Sequence, residues 1–476
     1  MSTELRNFLA IPYDELEDIN LKAKKQRLDR VAPHKIQEER LKYLSDESRI
    51  KAVTVLFSDL EGRLHMLDYD KKFLLKSYDN LTFDGSSIRG FTAQRESDLR
   101  LGIDWSAFYW GPADVFGPGK VLVFGEVIDK SGEPYTADIR SMLKLFGNGL
   151  HKKHGYTLNA ANEIEGFLFQ GPEAERNYYQ TGKFEYVNTG GYYHSLPGDP
   201  LRTFIDTTAE VQRAMGFQNE KDHPEVAPSQ FEINYSYAEA VAAADHIQLY
   251  KLICRQVARN MGLSASFLPK PVVGVNGSGM HTNVSVSQNG KNLFWDPKGE
   301  EKLSKLGYEF LARLLTAGND LCLVFNSSVN AYRRLDPHFE APNQLKASAV
   351  DRGAMIRIPI GNERSMRLEV RAVAPDANPY LVMYSIFKTG LEGETAKIKN
   401  LRQAERYLPD NIYTAIENFR KAEWTTKLLG EDVKGRYADL KQASADRCPR
   451  LLGTIVKPSE VQFHHEVYNQ FLWNMF

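Results

Sequence analysis

Cysteine is scarce in this chain of 476 residues: Cys254, Cys322 and Cys448 are all there is, and they lie far apart. That excludes a disulfide framework and the closely spaced ligand pairs of a structural zinc site. An excess of charge is also lacking. Sixty basic residues against 61 acidic ones leave a net charge of −1, too even for bulk binding of nucleic acid or an anionic membrane. No apolar run approaches the roughly 18 residues of a membrane-spanning helix, and the charged N-terminus carries no signal-peptide core. A cytoplasmic protein with reduced cysteines, no nucleic-acid partner and no membrane partner is expected. Internal repeats and low-complexity tracts do not stand out.

What is present reads as an α+β protein long enough for more than one domain. Residues 1–48 are rich in charge and helix formers and read as a helical extension. Strand-like segments follow at Ala52–Phe57 and Arg63–Leu67 around a turn at Asp59–Gly62, and again at Val121–Ile128. They give a small β-rich domain over 49–137. Beyond it, over 138–476, strands and helices mix. A helix is expected over Ile139–His154, stopped by Gly155, and another from Asp199-Pro200 to near Gly216. A long one is expected over Ala238–Met261. Asn289-Gly290, between Val284–Ser287 and Leu293–Trp295, signals a hairpin. From Asn411 the tail reads as mostly helical.

The most telling stretch runs from Cys322 to Arg371. It holds seven arginines (333, 334, 352, 357, 364, 367 and 371), with Glu340 and Glu369 among them. In Met366–Arg371 a strand would turn Met366, Leu368 and Val370 one way and Arg367, Glu369 and Arg371 the other. Three further segments alternate in the same manner. They place Glu163 with Glu165, Gln230 with Glu232 and Asn234, and His281 with Asn283 and Ser285 on polar faces. Glu225 precedes Glu232 by seven residues.

Any one such strand is ordinarily the solvated face of an antiparallel sheet. Together they supply five glutamates and one histidine beside an arginine wall. Carboxylates that converge so closely need cations between them. Oxygen-rich ligation with one imidazole suits Mg²⁺ or Mn²⁺ better than zinc, and arginine forks fit phosphate and carboxylate. The residues therefore point to a metal-dependent enzyme acting on phosphates and carboxylates.

The motifs resemble those of class I (bacterial-type) glutamine synthetase. The stretches that carry the resemblance are Phe83-Asp-Gly-Ser-Ser87, Asn276-Gly-Ser-Gly-Met-His281, Arg334 to Pro342, Asp351-Arg352 to Pro359, Arg367-Leu-Glu-Val-Arg371 and Asn378-Pro-Tyr380. The resemblance runs in order from about Ala52 to the C-terminus and leaves the first 48 residues outside it. It implies a β-grasp domain, a catalytic domain with a curved antiparallel sheet flanked by helices, and a dodecamer of two hexameric rings with sites shared between subunits. The implied reaction is ATP-dependent amidation of glutamate by ammonium through γ-glutamyl phosphate, with at least two Mg²⁺ or Mn²⁺ per site.

By the same resemblance, Glu165, Glu225 and Glu232 hold one metal, and Glu163, His281 and Glu369 the other. Arg352, Arg357 and Arg371 stabilise the transferred phosphoryl group and glutamate, while Arg334, Asn276 and Gly277 bind glutamate. Glu220, Ser285 and Arg364 lie on the nucleotide side. Asp84, with Ser87, reaches into a neighbouring subunit's site to deprotonate ammonium, Tyr192 lines the ammonium pocket, and Glu340 closes the flap.

The sequence departs from the family pattern at His338, where glycine is common, at Asn283, in place of a second histidine, and around Arg352, flanked by Asp351 and Gly353. The span from Gly390 to Pro409 has no room for an adenylylation loop. A γ-glutamyl-amine ligase using a polyamine or methylamine, and a non-catalytic structural relative, are the alternatives. Retention of all six ligands argues against the latter.

Overall fold

The computed structural model of the chain describes residues 8–92, 97–194, 197–335, 341–395, 400–403 and 406–452. The N-terminal extension forms two helices, Tyr13–Leu28 and Pro33–Asp46. In the second, the buried residues Ile36, Arg40 and Leu44 recur every fourth position, which places them on one helix face. Asn20 anchors the first helix. Its amide donates to the carbonyls of Trp110 (2.8 Å) and Ala214 (2.9 Å), and its oxygen accepts the Trp110 N–H at 3.0 Å. Those bonds offset the cost of burying the amide and join the extension to both parts of the chain that follow.

Five strands come next: β1 Ala52–Ser58, β2 Leu64–Asp70, β3 Leu81–Asp84, β4 Asp98–Tyr109 and β5 Lys120–Ile128. Their order is β2-β1-β5-β4-β3, with β1 and β5 parallel. The β1–β2 hairpin turns at Gly62, φ +90°, where an added Cβ would lie 2.5 Å from the Cα of Asn378. Glycine is needed there for the backbone angle and for the close approach to the second sheet's domain. Arg140 joins the two sheets' domains from within. It is buried, bonds the carboxylate of Asp245 twice at 2.8 Å and reaches Asp104 on β4 at 3.0 Å.

The second sheet has ten strands. They are β6 Tyr156–Gln170, β7 Asn219–Pro224, β8 Gln230–Tyr235, β9 Ala238–Glu239, β10 Leu263–Ser266, β11 Met280–Gln288, β12 Lys291–Asn292, β13 Gln344–Ser348, β14 Ala354–Arg357 and β15 Leu368–Val370. The main path through the sheet is β13-β14-β15-β11-β6-β8-β7. On β6, Leu158, Ala160, Asn162 and Ile164 are buried, while Asn159, Ala161, Glu163 and Glu165 between them are half-buried. Helices Ile139–His154 and Ala240–Asn260 lie against β6, and helix Pro379–Glu392 packs on both.

Three sequence expectations shift at their edges. The helix expected from Ala238 starts at Ala240, because Ala238 and Glu239 pair with β6 instead. The hairpin at Asn289-Gly290 forms, but its return strand is only Lys291–Asn292. The alternating run Met366–Arg371 is strand only over Leu368–Val370.

Candidate active site

Register brings the polar faces together. Glu163 on β6 lies opposite His281 on β11, and Asn283 on β11 lies opposite Glu369 on β15, which in turn faces Arg357 on β14. On the other side of β6, Glu165 is opposite Glu232 on β8, and Glu232 is opposite His223 on β7. Directly opposed side chains in a sheet are near neighbours, so five strands lay one track of ligand-type residues across a single face. Glu163, Glu165, Glu232 and His281 of this track line a cavity of about 340 Å³, together with Tyr192, Glu225, Asn276, Gly277, Arg334, Arg352, Arg357, Arg367 and Arg371, while His223, Asn283 and Glu369 are not among its lining residues.

Two acidic groups stand out along the track. In the first, ligand atoms of Glu163, His281 and Glu369 lie within 4.8 Å of one another. His281 Nδ1 is 3.5 Å from Glu163 Oε2 and 3.8 Å from Glu369 Oε1. Burial and the charge of Arg371 push the His281 ionisation down, which favours the neutral ring that a metal ligates. Burial works against charge on Glu163, yet its contacts with His281 and Asn283 and the field of Arg357 bring it to about 2. Glu369 is fully buried and accepts from Arg357 Nε (2.6 Å) and Nη2 (2.5 Å) and from Arg371 Nη1 (2.7 Å).

The second group is His223, Glu225 and Glu232, again within 4.8 Å. Glu165, the third ligand that the resemblance implies, is not in that group. Its Oε2 accepts the Gly279 N–H at 2.8 Å and Gln230 Nε2 at 3.4 Å. Burial and then the charge of Glu232 push Glu225 up to about 7, and burial with Glu225 and Glu232 pushes Glu165 well above the carboxylate range. Burial and mutual repulsion disfavour charge on Glu165 and Glu225, a crowding that a divalent cation would relieve. His223 shows the same demand: burial opposes its charge, but contact with Glu232 raises its ionisation. Its Nε2 is buried with no hydrogen-bond partner. Acidic oxygens, one imidazole per group and an orphaned ring nitrogen together fit the divalent cations.

The glycine loop before β11 owes its composition to close packing. A Cβ on Gly277 would meet the Pro269 carbonyl oxygen at 2.5 Å, and one on Gly279 would meet Arg334 Nη2 at 2.5 Å and His281 Nε2 at 2.9 Å. Arg334 is buried, donates to the Arg371 carbonyl at 3.0 Å and is lowered to about 10 by burial. Arg371 Nε reaches the Arg352 carbonyl at 3.4 Å.

Other expected residues lie apart from the cavity. Asp84 and Ser87 are not among the lining residues. The Asp84 carboxylate accepts from the hydroxyls of Ser86 (2.6 Å) and Ser87 (2.5 Å), which hold it below its usual range. Glu220 and Arg364 are exposed and Ser285 is half-buried, all three outside the cavity lining. His338 and Glu340 fall outside the described residues.

Sequence reasoning missed Lys221 and His223. Asn219, Lys221, His223 and Glu225 recur at every second position, so the alternation that flagged the other strands was available here too.

Two family profiles match, "Glutamine synthetase, beta-Grasp domain" over residues 49–130 and "Glutamine synthetase, catalytic domain" over 136–458. The chain belongs to the glutamine synthetase family. Its five-stranded sheet is the β-grasp part, and its catalytic domain is that of a glutamate–ammonia ligase. Among curated relatives, a glutamine synthetase of Clostridium saccharobutylicum is 36% identical over 433 residues, covering 87% of this chain and 96% of the relative. One of Staphylococcus aureus (strain Mu50 / ATCC 700699) is 35% identical, covering 86% and 94%. A solved structure titled "GmaS/ADP complex-Conformation 1" superposes with a TM-score of 0.74 at 25% identity, covering 87% of this chain and 96% of that one. A glutamine synthetase of Plasmodium falciparum shares the fold, with a TM-score of 0.77 at 20% identity and coverage of 89% and 98%. No helix among the described residues is long and apolar enough to cross a membrane.

Proposed function

We propose that this chain joins ammonia to the side-chain carboxylate of L-glutamate at the expense of ATP, through γ-glutamyl phosphate, with ammonium as its preferred amine. The observation that carries the reading is a cavity lined by Glu163, His281, Glu225 and Glu232 of the two His/Glu groups and by an arginine wall. Glu163, His281 and Glu369 would hold one divalent cation, and Glu225 and Glu232 would share in holding a second. Mg²⁺ or Mn²⁺ bound there would supply positive charge to offset the carboxylates and the nucleotide phosphates.

The side chains supply the rest. Arg334, with the Asn276-Gly277 backbone, offers the donors that orient glutamate. Arg352, Arg357 and Arg371 line the same cavity and stabilise charge on the phosphoryl group as it passes to the carboxylate. Ammonium then loses a proton to a carboxylate, and the amine displaces phosphate from the acyl phosphate.

Asp84 is exposed and stands away from its own chain's cavity, which supports a role at a neighbouring subunit's site in a ring-shaped homo-oligomer. Tyr192 lies in the cavity lining beside Glu225, on the side expected to receive the amine. A ligase for a larger amine is the second reading. Glutamate- and ammonium-dependent release of phosphate from ATP, with equimolar glutamine formed, tests the proposal. Release without either substrate, or no release, contradicts it.

A further inference from the structure

We infer that a second cavity, between the N-terminal extension and the rest of the chain, binds a small organic monocarboxylate with an apolar body, its head group held by Arg27. The inference does not rest on the reading of the active site, because no residue lines both cavities. The second cavity is the larger, at about 430 Å³, and falls within the ~300–1,000 Å³ usual for small-molecule sites.

Three parts of the chain wall it. The extension contributes Arg27 and Ile36, β4 contributes Ile103 and Trp105, and helices Ile139–His154 and Ala240–Asn260 contribute Leu143 and Val241. The two sheets' domains alone would leave this space open on the side that the extension covers. Ile36, Trp105 and Leu143 are buried, so the wall offers apolar surface to a ligand as well as charge.

The charges decide the class of ligand. Arg140 is matched by Asp245 and Asp104, Lys144 by Asp104 and Glu126, and Arg30 by Glu239 at 3.3 Å. Arg27 is the exception. Its Nη1 donates to the Tyr109 hydroxyl at 3.0 Å, but among the described residues no carboxylate lies within 4.0 Å of its guanidinium. Asp104 and Asp245 act on it only from beyond that distance and are already bonded to Arg140. Arg140 Nη1 is buried with no hydrogen-bond partner and meets Glu126 Oε1 at 3.5 Å, so a second guanidinium donor in this wall is also unmatched. A planar fork with unused donors beside apolar surface fits a carboxylate that carries an apolar body. Asp104, Glu126, Glu239 and Asp245 line the same cavity and repel a dianionic phosphate or a nucleotide.

Gly147 allows the cavity to be filled without touching Arg27. It lies on the wall within helix Ile139–His154, and an added Cβ would meet only Leu158 Cδ1 within 4 Å, at 4.0 Å. Gly147→Leu therefore suits the helix and occupies the space that the ligand would take.

The test is titration calorimetry on the full chain with three probes: 3-phenylpropanoate, its uncharged amide 3-phenylpropanamide, and phenyl phosphate. The carboxylate should bind about tenfold or more tightly than the amide, the worth of a charge-assisted hydrogen bond, and more tightly than phenyl phosphate. Arg27→Met should remove that tenfold advantage while leaving the amide's affinity within about threefold, and Gly147→Leu should abolish binding of both. Equal affinity for carboxylate and amide would overturn the inference, as would no binding of any probe up to about 10 mM. Carboxylate binding that survives Gly147→Leu would place it elsewhere, and a preference for phenyl phosphate would replace the ligand class; either result also overturns the inference. If Arg27→Met does not fold, the wild-type comparison of carboxylate with amide and the loss in Gly147→Leu decide alone.

Discussion

Replacing Glu369 by glutamine separates the two tasks of its carboxylate. The residue is fully buried, neutralises Arg357 and Arg371 through bonds of 2.5 to 2.7 Å, and lies 3.8 Å from His281. Glutamine keeps the shape and one acceptor oxygen but removes the charge. Breaking a buried pair from one side costs about 3–5 kcal/mol. Water reaches the Arg357 side chain, which is 32% exposed, so about 2–3 kcal/mol is expected after screening.

The loss of a ligand has a separate readout. Changing the outer partners of a metal site costs about 10–100-fold in affinity, so Glu369→Gln should weaken Mn²⁺ at that site by about 100-fold or more. Titration of Mn²⁺, followed by the signal of the free ion, measures the second effect, and the unfolding midpoint of the metal-free protein measures the first. A variant that binds Mn²⁺ as tightly as wild type and keeps turnover within about tenfold of it would refute the metal assignment. Unchanged stability would refute the charge argument.

Arg352→Ala should lower kcat by about 10³-fold with little change in KM; a raised KM at unchanged kcat would make Arg352 a binding residue only. Mixing Asp84→Ala with Glu369→Ala subunits, each inactive alone, should restore part of the phosphate release, and mixed assembly with no recovery would place the whole site within one chain. Lys251 is buried and its ionisation is lowered to about 7, first by burial and then by Arg255. A depressed folded-state value gives stability that is present above the unfolded value and lost as pH falls through about 7. Lys251→Met should therefore stabilise the protein more at pH 6 than at pH 9, as read by unfolding midpoints, and a gap that does not vary with pH would count against this.

Local chemistry made much of the fold legible. Asn289 and Gly290 both adopt positive φ, 50° and 78°, as the turn between β11 and β12 requires. Gly155 closes helix Ile139–His154 in the left-handed region, and Asp199 caps helix Pro200–Ala214 with proline at its first position. Glu163 and Glu165 share a face because β6 alternates over its buried stretch. Which strands would be neighbours was not legible, since register depends on contacts far apart in sequence. The short strands β14 and β15 are held by pairing with each other, β14 also with β13 and β15 also with β11, and are too short for periodicity to mark their ends. The alternation of Asn219, Lys221, His223 and Glu225 was legible too, but that His223 faces Glu232 follows only from the register of β7 on β8.

The amine decides the central claim. Ammonium selectivity calls for a small anionic pocket, and Glu225, Glu232 and Glu165 crowd one end of the cavity beside Tyr192. The measurement is steady-state phosphate release at fixed glutamate and ATP, with ammonium, methylamine and putrescine compared by kcat/KM. Ammonium is expected to be strongly preferred, methylamine poor and putrescine inactive. A higher kcat/KM for either larger amine would contradict the proposal and place the chain among ligases of substituted amines.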